Sequence, residues 1–246
     1  NSDKDYKEES KYIDSLINKF IEKPKNKIKL LDLACGTGKH ALEFYDLGYI
    51  VEGSDISKDM IDVATLKSKE ENKKIQYYNE SFQTCNIIEN KYDVIVAMFG
   101  AIDYLVNVEE LNKTFNNIYN LLVSGGLFIF DFWNGNAVIQ RFSQKRTKEV
   151  YLEENKVVRT SNTTLDLVTQ RALVEFNFEL SRKGLKIDSF TEEHLIRYFF
   201  IQEMHDFLQL KGFSILHKCP FLESDSDLIG TEWNVSFVVQ APILAG

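Results

Sequence analysis

The sequence predicts an α/β protein in which a doubly wound parallel sheet carries an inserted antiparallel β-sheet. Three observations predict it. Strand-like and helix-like stretches alternate from residue 28 to residue 132. The first strand, in I-K-L-L-D-L-A-C-G-T-G at residues 28–38, runs into a glycine-rich turn, and the second closes on an acid, Asp55, about twenty residues later. From about residue 148 to residue 200 the alternation gives way to short β-rich pieces separated by polar turns.

The chain opens on Asn1 and not on Met, so a native start is expected to be missing. Residues 4–22 read as an amphipathic helix, because Tyr6, Tyr12, Ile13, Leu16, Ile17 and Phe20 recur at three- and four-residue intervals until Pro24 stops it. Ile28, Leu30, Leu31 and Leu33 suit a strand covered on both faces. In the turn that follows, Gly36 and Gly38 can take backbone angles closed to other residues and let a ligand approach without a Cβ in the way. A helix over residues 39–47 comes next, with Gly48 placed to cap it. The second strand, residues 49–55, ends in Asp55, which can accept hydrogen bonds from both hydroxyls of a ribose. A pyrophosphate at the helix start would prefer a third glycine where this chain has Ala41 or Leu42, so the spacing suits a nucleoside better than a dinucleotide.

Ser57 can cap a helix over residues 58–69, in which Met60, Ile61, Val63, Ala64 and Leu66 are apolar. Residues 75–79 form a third strand and residues 92–100, Y-D-V-I-V-A-M-F-G, a fourth, whose tail brings two polar groups, Asp103 and Tyr104. A helix over residues 108–122 leads through S-G-G at residues 124–126, read as a turn, into a fifth strand at residues 127–132. V-Y-L-E-E, K-V-V-R-T, L-D-L-V-T, A-L-V-E-F-N-F-E-L and L-K-I-D-S-F then read as an antiparallel sheet that would stand above the ligand cleft. The expected division is residues 1–140 with 201–246 as the ligand-binding domain and 141–200 as a capping insert. A helix at residues 201–210, closed by Gly212, and strands at 213–219 and 234–240 finish the chain.

A length of 246 residues with 44% hydrophobic content allows one large domain, or one with a subdomain. A net charge of -8 argues against nucleic acid as a partner. No apolar run approaches the ~20 residues of a membrane span, and no charged-then-apolar leader opens the chain, so the expectation is a soluble, cytoplasmic protein without a membrane partner. Cys35, Cys85 and Cys219 are odd in number and far apart, which suggests neither a disulfide framework nor a zinc cluster, and no metal is expected. All six arginines fall after residue 140.

D-L-A-C-G-T-G, with Asp32 at the strand end, resembles motif I of class I S-adenosylmethionine (SAM)-dependent methyltransferases. The resemblance implies a seven-stranded Rossmann-like sheet ending in an antiparallel hairpin, and SAM as cofactor. It places the methionine part of SAM on the loop of Asp32, Ala34, Cys35, Gly36 and Gly38, and the ribose on Asp55. Ile56 and Met60 would flank the adenine, and Glu80, Ser81 and Phe82 are candidates on the adenine side, where an oxygen can accept from the adenine amino group. Met98 and Phe99 would lie by the sulfonium, and Tyr6 of the leading helix over the cofactor.

K-D-Y at residues 4–6, M-F-G-A-I-D-Y-L at 98–105 and E-E-H-L-I-R-Y-F at 192–199 are similar to nucleotide-sugar N-methyltransferases, which dimethylate the amine of a dTDP-linked aminosugar. Two departures fall on the substrate side: D-F-W-N at residues 131–134 replaces a Glu-Pro-Trp-Trp-like stretch, and Asp103 stands where a small residue is usual. An O-methyltransferase acting on a sugar or a small phosphorylated metabolite of surface polysaccharide biosynthesis, and a non-catalytic SAM-binding protein, stay open as alternatives. Asp103, Tyr104, Asp131 and His194 are the candidates for taking the acceptor's proton. The expected acceptor is a small, anionic molecule, met by Trp133 and by the planar forks of Arg159, Arg171 and Arg197, unless those arginines pair with Glu153, Glu175 or Glu179. His40, His205 and His217 read as structural, and a homodimer is open.

Overall fold

The computed structural model describes residues 5–84, 91–152 and 154–243; Lys4 of the K-D-Y motif, Cys85 and Glu153 lie outside them. Asp5 caps the first helix, α1 (Tyr6–Phe20), by accepting from the Glu8 amide, and the helix buries Tyr12, Ile13, Leu16 and Ile17, the stripe that the spacing predicts. A seven-stranded sheet forms around β1 (Lys29–Leu33). On one side lie β2 (Ile50–Asp55) and β3 (Gln76–Asn79), on the other β4 (Tyr92–Ala97) and β5 (Leu122–Trp133), all parallel. The hairpin of β10 (Ser214–Pro220) and β11 (Asn234–Gln240) completes it, with β11 antiparallel to β5.

Successive strand residues point to opposite faces, and both faces of this sheet are covered. Leu31 and Leu33 pack with Phe115 of α4 (Val108–Leu121) and Leu208 of α6 (Ile201–Leu210), whereas Leu30 packs with Ile13 of α1, Ala41 and Phe44 of α2 (Lys39–Asp46) and Ala64 of α3 (Lys58–Glu70). That two-sided burial is why β1 reads as a near-continuous apolar run. Each buried leucine, isoleucine or phenylalanine among them stabilises the fold by about 1.5–3 kcal/mol. The seven-stranded α/β sheet is thus the one that the sequence predicts.

Three features differ from the expectation. S-G-G lies inside β5, which begins at Leu122: the register with β4 slips between Tyr92 and Val94, and Gly125 supplies the left-handed residue, φ +75°, that such a bulge needs. A 3₁₀ turn at Ala101–Tyr104 and a short helix, α5 (Gly135–Arg141), have no periodicity long enough to read. L-D-L-V-T is no strand of its own. Leu165 and Asp166 end a twelve-residue strand, and the Asp166 carboxylate accepts from the Val168 and Thr169 amides to turn the chain.

The insert is a four-stranded antiparallel meander of β6 (Lys145–Leu152), β7 (Asn155–Asp166), β8 (Arg171–Arg182) and β9 (Leu185–Arg197). Register sets its two faces. One carries Arg159, Ser161, Thr163 and Leu165 opposite Phe178, Phe176, Val174 and Ala172, and then Phe190, Glu192, His194 and Ile196. This face packs on the body, where Ala172, Val174 and Ile196 bury themselves with Trp133. Among the described residues no helix is long and apolar enough to cross a membrane.

Candidate active site

A cavity of about 670 Å³ opens at the C-terminal ends of β1, β2 and β4. After β1 the chain turns through left-handed residues at Ala34 (φ +56°) and Gly36 (φ +54°), and a Cβ built on Gly36 would meet nothing within 4 Å, so the loop is open toward a ligand. Asp55 holds this loop in place: one carboxylate oxygen accepts from the Gly36 amide at 2.8 Å and the other from the Ser57 amide at 2.9 Å. Each oxygen keeps a further lone pair for a ribose hydroxyl. Asp32 is 2% exposed, and its Oδ2 meets no donor among the described residues. Burial raises its pKa to about 7, with His40 opposing the rise and the Asp55 charge adding to it.

The expected cofactor residues Tyr6, Asp32, Ala34, Cys35, Gly36 and Asp55 all line this cavity, as do Ile56, Met60, Glu80, Ser81, Phe82, Met98 and Phe99. Ile56 is 77% exposed although apolar, which suits a wall that a flat ring would cover. Glu80 accepts from Thr84 Oγ1 at 3.0 Å, and Ser81 bonds the same hydroxyl at 2.9 Å. Gly38 is a correction. It lies off the cavity wall, and its Cβ would come within 2.7 Å of Tyr77 Oη and 2.9 Å of Ala64 Cβ, so this glycine lets α2 pack closely against β3 and α3.

His40, for which the sequence predicts a structural role, also lines the cavity. Its Nε2 stands 3.0 Å from Glu9 Oε2, both side chains being buried, while its ring meets Tyr6 at 4.9 Å and stacks on Phe99 at 5.0 Å. The available signal was Glu9 itself, which interrupts the apolar stripe of α1 between Tyr6 and Ile13.

The unpartnered Asp32 oxygen, the open Gly36 loop and the Asp55 carboxylate fit SAM: Asp32 can hold the ammonium of its methionine part, and Asp55 its ribose. The raised pKa then has a consequence of defined sign. Below pH 7 Asp32 must lose a proton before it can pair with an ammonium, so SAM affinity is expected to rise with pH, by up to about tenfold per unit, and to level off above pH 7. Calorimetry across that range on the parent and on Asp32→Asn checks this; the same profile in both would assign the proton elsewhere.

Of the four catalytic candidates, two come together. Tyr104 lines the cavity and its hydroxyl stands 2.8 Å from His194 Nδ1, which β9 brings in from the insert; His194 Nε2 is 3.6 Å from Glu192. Burial raises the Tyr104 pKa, as do the charges of Asp103 and Glu192. Asp103 and Asp131 are corrections, since both are buried away from the cavity. Asp103 accepts from the Trp133 amide at 3.1 Å; Asp131 accepts from the Gly100 amide at 3.1 Å and from Asn234 Nδ2 at 2.7 Å. Burial and the neighbouring Asp131 raise the Asp103 pKa well above the carboxylate range. The 3₁₀ turn is the cause: it sends Asp103 inward and Tyr104 outward.

Of the residues expected to meet the acceptor, Trp133 and Arg159 line a second cavity of about 450 Å³ between the insert and the body. Arg171 and Arg197 do not reach either cavity. Paired in register on the face opposite Ala172 and Ile196, they tie the insert down, Arg171 donating to the Val106 carbonyl at 3.2 Å and Arg197 pairing with Glu203 at 2.6 Å.

Residues 30–126 match a family model described as a methyltransferase domain. A putative methyltransferase of Geobacillus sp. (strain WCH70) is 29% identical over 103 residues, which is 42% of this chain and 41% of that protein's length. A dTDP-3-amino-3,4,6-trideoxy-alpha-D-glucopyranose N,N-dimethyltransferase of Streptomyces venezuelae is 24% identical over 201 residues, 80% of this chain and 78% of the relative. In fold, the chain is similar to a SAM-dependent methyltransferase of Clostridium acetobutylicum, with a TM-score of 0.82 at 21% identity, covering 98% of this chain and 94% of that one. The methyltransferase domain that the motifs predict is borne out, and with it SAM as cofactor.

Proposed function

We propose that this chain, with its SAM-dependent methyltransferase domain, methylates a small-molecule acceptor, and that the acceptor is the amine of a nucleotide-linked aminosugar. The observation that carries the proposal is the Tyr104–His194 pair at the cavity: the capping insert supplies one member and the sheet domain the other. SAM supplies a methyl group already activated on a sulfonium, so the protein's part is alignment and proton removal. The Asp55-braced loop and Asp32 fix the cofactor from one side. Tyr6 and Phe99, in edge contact at 6.2 Å, form an apolar wall that excludes water. The Tyr104 hydroxyl meets the acceptor, and His194 behind it takes the proton. An imidazole can relieve an ammonium of its proton, whereas an alcohol asks for a stronger push.

The relative from Streptomyces venezuelae supports the amine, since its name gives an N,N-dimethyltransferase of a dTDP-linked aminosugar. The test is to incubate the protein with SAM and a dTDP-linked 3-aminosugar and to follow S-adenosylhomocysteine. Product is expected with the aminosugar and not with dTDP or with the 3-hydroxy counterpart. Equal product from the hydroxy sugar would move the assignment to O-methylation.

A further inference from the structure

The two departures that the sequence shows on the substrate side, Asp103 and the Asp131 of D-F-W-N, meet in the core, where they are 1% and 0% exposed. Each reaches across to the other's segment. Asp131, on β5, accepts from the Gly100 amide beyond the end of β4 at 3.1 Å, and Asp103, in the 3₁₀ turn that follows, accepts from the Trp133 amide of β5 at 3.1 Å. Asn234 Nδ2 of β11 gives Asp131 a second donor at 2.7 Å. The chain between them passes through two left-handed residues, Phe99 and Gly100, each at φ +63°. A phenylalanine takes that conformation only where its surroundings hold it. A Cβ built on Gly100 would collide with Asp103 Oδ2, so the glycine and the acid fit one another. The turn held in this way presents Phe99 to the cofactor cavity and Tyr104 to His194. Trp133, whose amide Asp103 engages, accepts at its carbonyl from the Phe199 amide at 3.0 Å, just beyond the end of β9, the strand that carries His194. Tyr104 and His194 are thus tied to one point on β5.

We infer that Asp103 and Asp131 form a reciprocal clamp that holds one proton, Asp103 as the acid and Asp131 as the carboxylate, and that Asp103 is a positioning residue for Tyr104. The inference rests on the proposed Tyr104–His194 pair and deepens it. Two neighbouring carboxylates taken out of water cannot both keep a charge at small cost. Burial and the Asp131 charge hold the Asp103 pKa well above the carboxylate range, the Trp133 amide opposes them, and no cation is among the groups that act on it. Asp131 is the better carboxylate, because one of its oxygens accepts from two N–H donors. From α1, Tyr12 feels the Asp131 charge and its hydroxyl stands 3.2 Å from the Cys219 thiol of β10; burial keeps both groups neutral, so neither offers the pair a countercharge. On the turn itself the Asp103 charge would push the Tyr104 pKa up, as burial does, so a neutral Asp103 also leaves the Tyr104 proton easier to move.

The experiment compares the parent with Asp103→Ala and Asp103→Asn, following turnover of a dTDP-linked aminosugar with SAM saturating. Asp103→Ala leaves the Trp133 amide without its acceptor and is expected to lower turnover by about 10²-fold, the cost of a misplacement of about 1 Å. SAM affinity is expected to stay nearly unchanged, because Asp131 still holds Gly100. Asp103→Asn has the shape of the protonated acid, with an oxygen for the Trp133 amide and an NH₂ group for Asp131, and is expected to recover most of the loss. On a Tyr104→Phe background Asp103→Ala is expected to cost little more, because a residue that acts through Tyr104 then has nothing to position. Thermal unfolding reads the proton without any acceptor, and does so even if Asp103→Ala does not fold. Unfolded Asp103 releases its proton above an ordinary pKa of about 3.9, so the parent is expected to lose stability relative to Asp103→Asn as pH rises from there. A difference between the two that is flat with pH overturns the shared proton. Full turnover in Asp103→Ala, where Tyr104→Phe has lost it, overturns the clamp alone. Full turnover in Tyr104→Phe strikes the proposed pair, and the positioning role with it.

Discussion

Tyr104→Phe is expected to lower turnover by about 10²–10⁴-fold, the usual contribution of a positioned acid–base group, while leaving SAM affinity almost unchanged. The variant keeps the ring and its packing and removes only the oxygen that stands 2.8 Å from His194. His194→Ala is expected to lose a similar factor, and the double variant little more than either single one, because two groups that pass one proton act as a unit. Single-turnover rates with SAM saturating give the comparison. Full turnover in Tyr104→Phe between about pH 6 and about pH 9 would contradict the assignment and leave the proton to Glu110, on the cavity wall, or to solvent.

Asp55→Ala is expected to weaken SAM binding by a hundredfold or more. A charge-assisted hydrogen bond contributes about 1.5–3 kcal/mol, and this carboxylate serves two ribose hydroxyls while bracing the glycine loop through the Gly36 and Ser57 amides. Asp55→Asn separates the two roles. Its amide oxygen can still accept from Gly36, but its NH₂ group meets the Ser57 amide as donor to donor, so an intermediate loss is expected. Calorimetry reads both variants, with thermal unfolding as the control for the fold; unchanged affinity in Asp55→Ala would remove Asp55 from the cofactor site.

What was legible in the sequence is local. The apolar run of β1, the Gly36 turn and the acid at the end of β2 sit within one strand–helix–strand unit, so their spacing alone predicts where they meet. What was not legible depends on parity and pairing. Asp103 and Tyr104 are neighbours, and only the 3₁₀ turn decides which enters the core and which reaches the cavity. Arg159 faces the second cavity and Arg171 does not, because a strand flips its side chains at each residue and the register of β7, β8 and β9 fixes the face. Arg146, the other arginine of that cavity, lies before the stretch where the β-rich pattern becomes readable. The Glu9–His40 pair joins residues 31 positions apart on two helices, a contact that no periodicity announces.

The most direct test of the account is transfer of an isotope-labelled methyl group from SAM to a dTDP-linked aminosugar, read by mass spectrometry of the acceptor. The label is expected on the sugar nitrogen, with S-adenosylhomocysteine formed in equal amount and both products lost in Tyr104→Phe. Labelled SAM that binds the protein and remains intact in the presence of aminosugar and hydroxy-sugar nucleotides alike would contradict it, and would make this chain a binder of SAM rather than an enzyme.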